Sequence, residues 1–233
     1  ATLELLTRAP VTDRPALETS VVVVARRSSA SAPTLRTDIT VPILGADLMA
    51  TRAREWNARG FSTFKVKVGI SLDDDLRALR AMHEAVPSAT FRIDANGGYR
   101  ADEALALLDE CARVGLHIEC FEQPCARDDL DGMAQVTARD ATPVIADESV
   151  RDLADLDRVL AHRAAHGINI KLVKTGGPLC ALALARAARA HGMKLMVGAM
   201  VETRLGITTM AHAVTAMGGA DYIDLDTAFL LAE

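Results

Sequence analysis

From about residue 36 onward, short apolar runs rich in β-branched residues alternate with longer amphipathic segments rich in Ala and Leu. Eight such runs start 25 to 27 residues apart, near Asp38, Thr63, Thr90, His117, Pro143, Ile168, Lys194 and Asp221. Strands that alternate with helices at this period indicate parallel βα units. We therefore predict an α/β protein in which residues 36–233 form a (β/α)₈ TIM-like barrel. An open doubly wound sheet is the rival fold, but it usually has fewer strands and a glycine-rich phosphate turn, which we do not find.

Two of the predicted helices carry clear end signals. Ser71 can cap a helix over 72–86, with Asp73 and Asp74 in its first turn, where acidic side chains are favourable. Gly192 follows a helical pattern over 179–191, as expected of a residue that ends a helix.

The first 35 residues have a different pattern. Residues 3–7 and 20–25 are predicted strands, and the Ser/Ala/Pro run over 28–33 is a predicted linker. Two strands are too few for a stable domain. We expect this segment to pack on the barrel or to be part of a larger unit.

Composition and charge narrow the classes of partner and location. The net charge is −5 and no Lys/Arg-rich run is present, which argues against nucleic acid or an anionic membrane as a partner. No apolar run reaches the length of a membrane span, and the N-terminal residues lack a basic-then-apolar signal pattern. The four cysteines have no C-x-x-C spacing, as expected of reduced thiols. We expect a cytoplasmic location. The sequence does not exclude a homo-oligomer.

Lysines occupy the inward face of two predicted strands. In the run 64–68, Lys65 and Lys67 share one face and the apolar residues share the other, so both lysines should point into the barrel. The alternative is an edge strand with two solvated lysines. Lys171 faces inward on the sixth strand, opposite Lys67 on the second, while Lys174 has the other parity and should be a loop or neighbouring charge.

Three carboxylates end the three intervening strands, at the face where barrel enzymes build their sites. Asp94, Glu122 and Asp147 are separated by 28 and 25 residues, about one βα unit each, so they should project toward one point. A single strand-end Asp is more often a turn former or a helix cap. Three carboxylates at equivalent positions of successive strands would repel one another unless a cation lies among them. Oxygen ligands favour Mg²⁺ first and Mn²⁺ second.

These residues together suggest a reaction. Removing a proton next to a carboxylate creates an ene-diolate, which a divalent ion stabilises. The base must be neutral, and Lys65 beside Lys67 favours the neutral amine of Lys67. Two opposed lysines can take a proton from one face and return it to the other, which is a 1,1-proton transfer.

Five stretches resemble the enolase superfamily, in its muconate-lactonising subgroup. They are KVK (65–67), DAN (94–96), FEQP (121–124), ADES (146–149) and KLVKTGG (171–177). The resemblance implies Lys67 and Lys171 as acid/base residues, with Lys65 as an electrostatic neighbour. It also implies Asp94, Glu122 and Asp147 as Mg²⁺ ligands, and we expect Asn96 and Glu148 to lie beside those ligands.

The run 198–203 and the last strand are most similar to dipeptide epimerases of the L-Ala-D/L-Glu type. In that family paired aspartates of the last strand hold the α-ammonium of the substrate, a role that falls to Asp224 and Asp226 here. Both share one face with no cationic neighbour in sequence, although a helix-capping or solvated pair is the alternative. Met200 and Glu202 are expected to contact substrate. Family members carry a capping domain before the barrel, so residues 1–35 are expected to be a partial capping segment.

The predicted function is a Mg²⁺-dependent isomerase that epimerises a dipeptide, with a small molecule as its partner. An N-acylamino-acid racemase or a muconate-type cycloisomerase is the alternative within the superfamily, but such substrates carry no ammonium group for Asp224 and Asp226. A non-catalytic barrel that binds a metal or a partner, and an inactive truncated barrel, are the remaining alternatives. The two opposed lysines argue against a non-catalytic barrel.

Overall fold

The computed structural model describes residues 22–24, 34–139 and 141–230. Strand β1 (Val22–Val24) pairs antiparallel with β2 (Thr34–Arg36). The other strands form one eight-stranded parallel sheet in sequence order. They are β3 (Ile39–Val41), β4 (Thr63–Lys67), β5 (Thr90–Asp94), β6 (Ile118–Glu122), β7 (Val144–Ala146), β8 (Gly167–Ile170), β9 (Lys194–Gly198) and β10 (Tyr222–Asp224).

Helices follow the strands of the sheet on its outer side. They are α1 (Ala46–Ala58), α2 (Leu72–Ala85), α3 (Ala101–Arg113), α4 (Leu130–Arg139), α5 (Leu153–His162), α6 (Leu172–Thr175), α7 (Pro178–Ala190), α8 (Arg204–Ala216) and α9 (Thr227–Leu230). Each strand of the large sheet begins within one residue of its predicted position. The barrel prediction is confirmed, and the doubly wound rival is excluded because the strands follow one another in sequence order around the sheet.

The seam between β3 and β10 brings the two ends of the sheet together. The Asp38 N–H donates to the Ile223 carbonyl at 3.2 Å. Side chains supply further links, because Thr37 Oγ1 accepts from the Leu225 N–H at 2.8 Å and Asp226 Oδ2 accepts from the Thr40 N–H. The barrel is thus nearly closed, and its seam depends on polar side chains.

The predicted helix ends are confirmed closely. Ser71 Oγ accepts from the Asp74 N–H at the start of α2. Helix α7 begins at Pro178, one residue before the predicted start, because a proline at the first helical position has a favourable φ and no N–H to satisfy. Gly192 follows α7 with a φ of 72°, in the left-handed region that favours glycine.

The buried apolar residues form two clusters. The larger one lies between the sheet and the helices. The smaller one consists of side chains from four strands inside the barrel, namely Cys120, Ile145, Met196 and Tyr222. The remaining interior is polar, which places charged groups along the barrel axis.

The predictions for the N-terminal segment are only partly covered. Strand β1 lies within the predicted strand over 20–25, whereas 3–7 and 28–33 lie outside the described residues. The capping role of residues 1–35 stays a prediction. In the described part of the chain, no helix has both the length and the hydropathy needed to cross a bilayer.

Candidate active site

A cavity of about 540 Å³ opens at the carboxyl ends of the barrel strands. Predicted site residues from six strands and their following loops line it together: Lys65, Lys67, Asn96, Asp147, Glu148, Lys171, Met200, Asp224 and Asp226. The rest of its wall is mainly apolar. A larger cavity of about 760 Å³ lies at the opposite end of the barrel, where none of the predicted site residues reaches.

Lys65 lies at the floor of this cavity and is 2% exposed. Its Nζ is 2.7 Å from Asp224 Oδ2, 2.7 Å from Glu122 Oε2 and 3.1 Å from Asp94 Oδ2. Burial would lower the pKa of Lys65, but the three carboxylates raise it well above its ordinary value. The inward direction predicted from strand parity is confirmed, and Lys65 is a fixed cation.

Lys67 lies higher on the same strand, with 26% of its side chain exposed. Its Nζ donates to Asp94 Oδ2 at 2.6 Å and to Asn96 Oδ1 at 2.8 Å. Asn96 has a φ of 45°, its N–H donates to Asp94 Oδ1 at 2.9 Å, and its Nδ2 donates to Glu148 Oε1 at 2.9 Å. Asn96 therefore connects Lys67, Asp94 and Glu148 at one side of the cavity.

Lys171 follows β8 and is 6% exposed, with its Nζ donating to Asp147 Oδ2 at 2.7 Å. Lys174 donates to the other oxygen of Asp147 and, at 2.8 Å, to the Asn169 carbonyl. Burial would raise the pKa of Asp147, but the two lysines hold it well below its ordinary value. For Lys171, Asp147 and Glu122 outweigh burial and raise the pKa, whereas burial prevails for Lys174 and lowers it.

Lys174 lies beside the site as the predicted neighbouring charge, with its Nζ on Asp147. The short helix α6 starts directly after Lys171, so three residues later the chain has returned to the same side. The three-residue spacing of Lys171 and Lys174 after a strand end was the available signal.

The predicted metal ligands end adjacent strands at similar heights. Lys67 is in register with Asp94, and Asp94 with Glu122. Burial would raise the pKa of Asp94, yet Lys65 and Lys67 lower it. Burial and Asp94 raise the pKa of Glu122 to about 7.

These three carboxylates are each engaged by lysines. Among the described residues, no group of three or more His, Cys, Asp or Glu side chains is arranged so that it could hold a metal ion. Lys65 lies between Asp94 and Glu122, while Lys171 and Lys174 take both oxygens of Asp147. The joint ligation of one ion stays a prediction.

The donor set nevertheless fits a hard divalent cation. The cavity lining and its floor bring together six carboxylates (Asp94, Glu122, Asp147, Glu148, Asp224 and Asp226) and four lysines (Lys65, Lys67, Lys171 and Lys174). The carboxylates outnumber the lysines by two, so the ionised groups carry an excess of two negative charges. Glu122 Oε2 is buried without a hydrogen bond although it lies close to Lys65 Nζ. All candidate ligands are oxygens, as Mg²⁺ prefers.

Asp224 and Asp226 both line the cavity but differ in their partners. Asp224 is paired with Lys65 in the folded chain, although neither aspartate has a cationic neighbour in sequence. Strand β3 lies between β4 and β10 at the barrel seam, so the inward side chains of Lys65 and Asp224 meet. Asp226 Oδ2 accepts from the Thr40 N–H. Burial and Asp224 raise the pKa of Asp226 to about 6, with the Thr40 N–H and Lys65 acting in the opposite direction.

The two predicted substrate contacts after β9 are placed differently. Met200 lines the cavity and is 53% exposed. Glu202 is not among the lining residues; its Oε1 accepts from the Met200 N–H at 3.1 Å. Glu202 thus supports the loop that carries Met200, and its contact with substrate stays a prediction.

Sequence reasoning assigned no role to Gln123, which is fully buried with a φ of 37°. Its Oε1 accepts from the Asp147 N–H at 2.9 Å and the Ser149 N–H at 3.2 Å. Its Nε2 donates to the Cys125 carbonyl and to Ser149 Oγ. Gln123 therefore fixes the backbone that carries Asp147. Its place directly after Glu122 was the available signal.

Comparisons with known proteins agree with this geometry. A sequence model of the family described as "Enolase C-terminal domain-like" matches residues 48–230. A protein named "Hydrophobic dipeptide epimerase" from Citrifermentans bemidjiense is 41% identical over 198 residues, which are 84% of this chain and 54% of that protein. The chain thus spans about half the length of this curated relative.

Two solved structures have the same fold at similar identity. A substrate-liganded complex of the L-Ala-D/L-Glu epimerase from Bacillus subtilis has a TM-score of 0.83 and 38% identity, over 85% of this chain and 56% of that one. A dipeptide epimerase from Enterococcus faecalis V583 has been solved in complex with Mg and the dipeptide L-Leu-L-Tyr. It has a TM-score of 0.79 and 36% identity, over 83% of this chain and 55% of that one.

Proposed function

This chain belongs to the enolase C-terminal domain-like family, and on that basis we propose that it is the barrel of a Mg²⁺-dependent epimerase acting on dipeptides. The observation that carries the proposal is the placement of Lys67 and Lys171. Lys67 ends the second strand of the eight-stranded barrel, Lys171 directly follows the sixth, and both line one cavity. The relative and the solved structures named above as dipeptide epimerases support the substrate class.

The two lysines would act on opposite faces of the substrate α-carbon. A neutral Nζ of one lysine would take the α-proton, and the ammonium of the other would return a proton to the opposite face. Each Nζ is hydrogen-bonded to a carboxylate, Lys67 to Asp94 and Lys171 to Asp147. Those bonds orient both amines, and for Lys171 the carboxylates of Asp147 and Glu122 outweigh burial and raise the pKa.

Asp94, Glu122 and Asp147 would hold Mg²⁺, with Mn²⁺ as the second choice. The bound ion would supply positive charge where negative charge develops on the substrate carboxylate. With the ion held there, Asp147 and Glu122 would no longer be free to raise the pKa of Lys171. Lys65 would stay charged through its remaining partner, Asp224.

Asp226, together with Asp224, would bind the α-ammonium of the dipeptide. Asp224 is already neutralised by Lys65, so Asp226 carries most of the available charge. A cation at Asp226 would offset the repulsion that raises the pKa of this carboxyl. An N-acylamino acid has no such cation and would leave the charge uncompensated.

Solvent exchange of the α-proton tests the lysine assignment. In D₂O with Mg²⁺, Lys67→Ala and Lys171→Ala should each abolish epimerisation, while each variant still exchanges the α-proton of one stereoisomer. The two variants should prefer opposite stereoisomers. Lys194→Ala, at the opposite end of β9, is the matched control and should behave as wild type. Equal exchange of the same isomer by both variants would show that the lysines do not serve opposite faces.

The substrate class is tested by removing the carboxylate that meets the ammonium. A charge-assisted contact is worth about 1.5–3 kcal/mol, or one to two decades in affinity. Asp226→Asn should therefore lower kcat/KM for dipeptides by about 10- to 100-fold and change little for an N-acetylated analogue. If wild type prefers the N-acetylated compound, an acylamino-acid racemase replaces the dipeptide epimerase.

A further inference from the structure

A line of charged side chains continues from the cavity floor along the barrel axis to the opposite end of the strands. Lys65 pairs with Asp224 at 2.7 Å, and the Asp224 carboxylate lies beside the Asp38 carboxyl. Arg92 Nη1 donates to Asp38 Oδ2 at 2.8 Å, and Arg92 Nε donates to Glu119 Oε2 at 2.5 Å. The first and last strands are therefore linked through charges that the proposed reaction does not use.

Asp38 is the centre of this line and is 1% exposed. Its backbone N–H and Arg92 Nη1 both donate to the Ile223 carbonyl at 3.2 Å, one residue before Asp224. Arg92 also donates to Asp38 Oδ2. Asp38 Oδ1 is buried and has no hydrogen-bond partner among the described residues. A proton on Asp38 could satisfy this buried carboxyl by bonding to Asp224.

Two touching buried carboxyl groups are strongly disfavoured when both are ionised. Burial would raise the pKa of Asp224, but Lys65 and the hydrogen bond from Asp38 lower it, so Asp224 keeps its charge. For Asp38, burial and then Asp224 raise the pKa well above its ordinary value, with Asp226 acting in the same direction and Arg92 and Lys65 against it. The two opposite directions favour a proton on Asp38 rather than on Asp224.

We propose that Asp38 is a positioning residue for Asp224: Arg92 holds one of its carboxyl oxygens, and its protonated carboxyl donates a hydrogen bond that fixes the Asp224 carboxylate beneath the cavity. This inference rests on the proposed function, in which Asp224 and Asp226 bind the substrate ammonium. The link keeps Asp224 in place without adding a second negative charge to the floor.

Asp38→Asn and Asp38→Leu test whether Asp38 acts by donating a hydrogen bond, because asparagine keeps an uncharged donor and leucine has none. The asparagine amide can donate to Asp224 and its oxygen can accept from Arg92, so kcat/KM for a dipeptide should stay within about 3-fold of wild type. Leucine removes both bonds, and loss of an outer partner of a site typically lowers activity about 10- to 100-fold. The loss should be mainly a rise in KM, because a smaller folded fraction would lower kcat alone. Equal impairment of both folded variants, or no impairment of Asp38→Leu, would overturn the proposal.

An infrared difference spectrum tests the same link without relying on activity. Wild type minus Asp38→Asn at pH 8 should show the carbonyl band of a protonated carboxylic acid. Asp155→Asn is the matched control, since Arg151 lowers the pKa of the buried Asp155, and its difference spectrum should show an ionised carboxylate instead. An ionised band for Asp38 would overturn the inference even if epimerase activity is found. A protonated band in a protein without epimerase activity would keep the link and reject the proposed function. This measurement also decides the case if Asp38→Leu does not fold.

Discussion

At Gly198 the backbone lies close to the side chains of Asn169 and Lys171. A Cβ at this position would lie 2.9 Å from Asn169 Nδ2 and 3.1 Å from Lys171 Cε. Gly198→Ala should therefore displace Lys171 and the Asn169 amide, which donates to Glu122 Oε1 at 2.7 Å. We expect kcat to fall about 10- to 100-fold, because displacements of about 1 Å have effects of this size.

The matched control for this change is Gly45→Ala, where no heavy atom lies within 4 Å of the added Cβ and φ is −64°. It should leave kcat unchanged. Circular dichroism and the unfolding temperature would show whether the Gly198→Ala protein is folded. A folded Gly198→Ala protein with wild-type kcat would mean that the position of Lys171 is not critical.

At the scale of single residues, the sequence predicts those side chains that alternate along strands. Lys65, Lys67 and Asp94 could be placed because parity decides which way a strand residue points. Parity could not show that Lys65 pairs with Asp224, since that contact joins the second and eighth strands. It also could not place Gln123, whose left-handed φ turns its side chain away from the strand pattern.

At the scale of helices and strands, the N-cap of α2 offers a test. Ser71 Oγ accepts from the Asp74 N–H, so Ser71→Ala leaves one terminal N–H without its side-chain acceptor. The free energy of unfolding should fall by about 1 kcal/mol, as for other N-cap serines. Ser71→Asp keeps an acceptor and should stay close to wild type in urea unfolding. Equal losses in both variants would show that the hydroxyl does not act as a cap.

Element positions were predictable because the apolar pattern changes period between strand and helix, and each change recurs after one βα unit. The seam was not predictable in the same way. Residues Thr37, Asp38 and Thr40 close it through specific side chains, and nothing in their local pattern shows that β10 will be their neighbour.

At the scale of the whole molecule, we expect the excess of carboxylates in the barrel to couple the free energy of unfolding to pH and to Mg²⁺. Glu122 is 1% exposed, and its pKa rises from the ordinary 4.5 to about 7 in the folded state. A raised carboxyl pKa means that its contribution to stability is complete below 4.5 and is lost as pH rises through about 7. The loss is on the order of 3 kcal/mol for a change of this size. Asp226, with a pKa raised to about 6, acts in the same direction.

Thermal unfolding at pH 5.5 and pH 8 should reveal this coupling. Without Mg²⁺, the free energy of unfolding should be lower at pH 8, because Glu122 is then ionised beside Asp94 with too little positive charge. Mg²⁺ should stabilise the protein more at pH 8 than at pH 5.5, because we expect it to bind the ionised carboxylates of the folded state. The added stability is RT ln(1 + [Mg²⁺]/Kd), or about 2.7 kcal/mol at one hundred times Kd.

Glu122→Gln is the control: it removes the titrating group, so both the pH dependence between these values and the added effect of Mg²⁺ should shrink. The lowered pKa of His166 has the opposite sign, but it is common to both proteins and cancels in the comparison. If Glu122→Gln keeps the wild-type pH dependence and the wild-type response to Mg²⁺, Glu122 is neither the group that titrates nor a ligand of the ion.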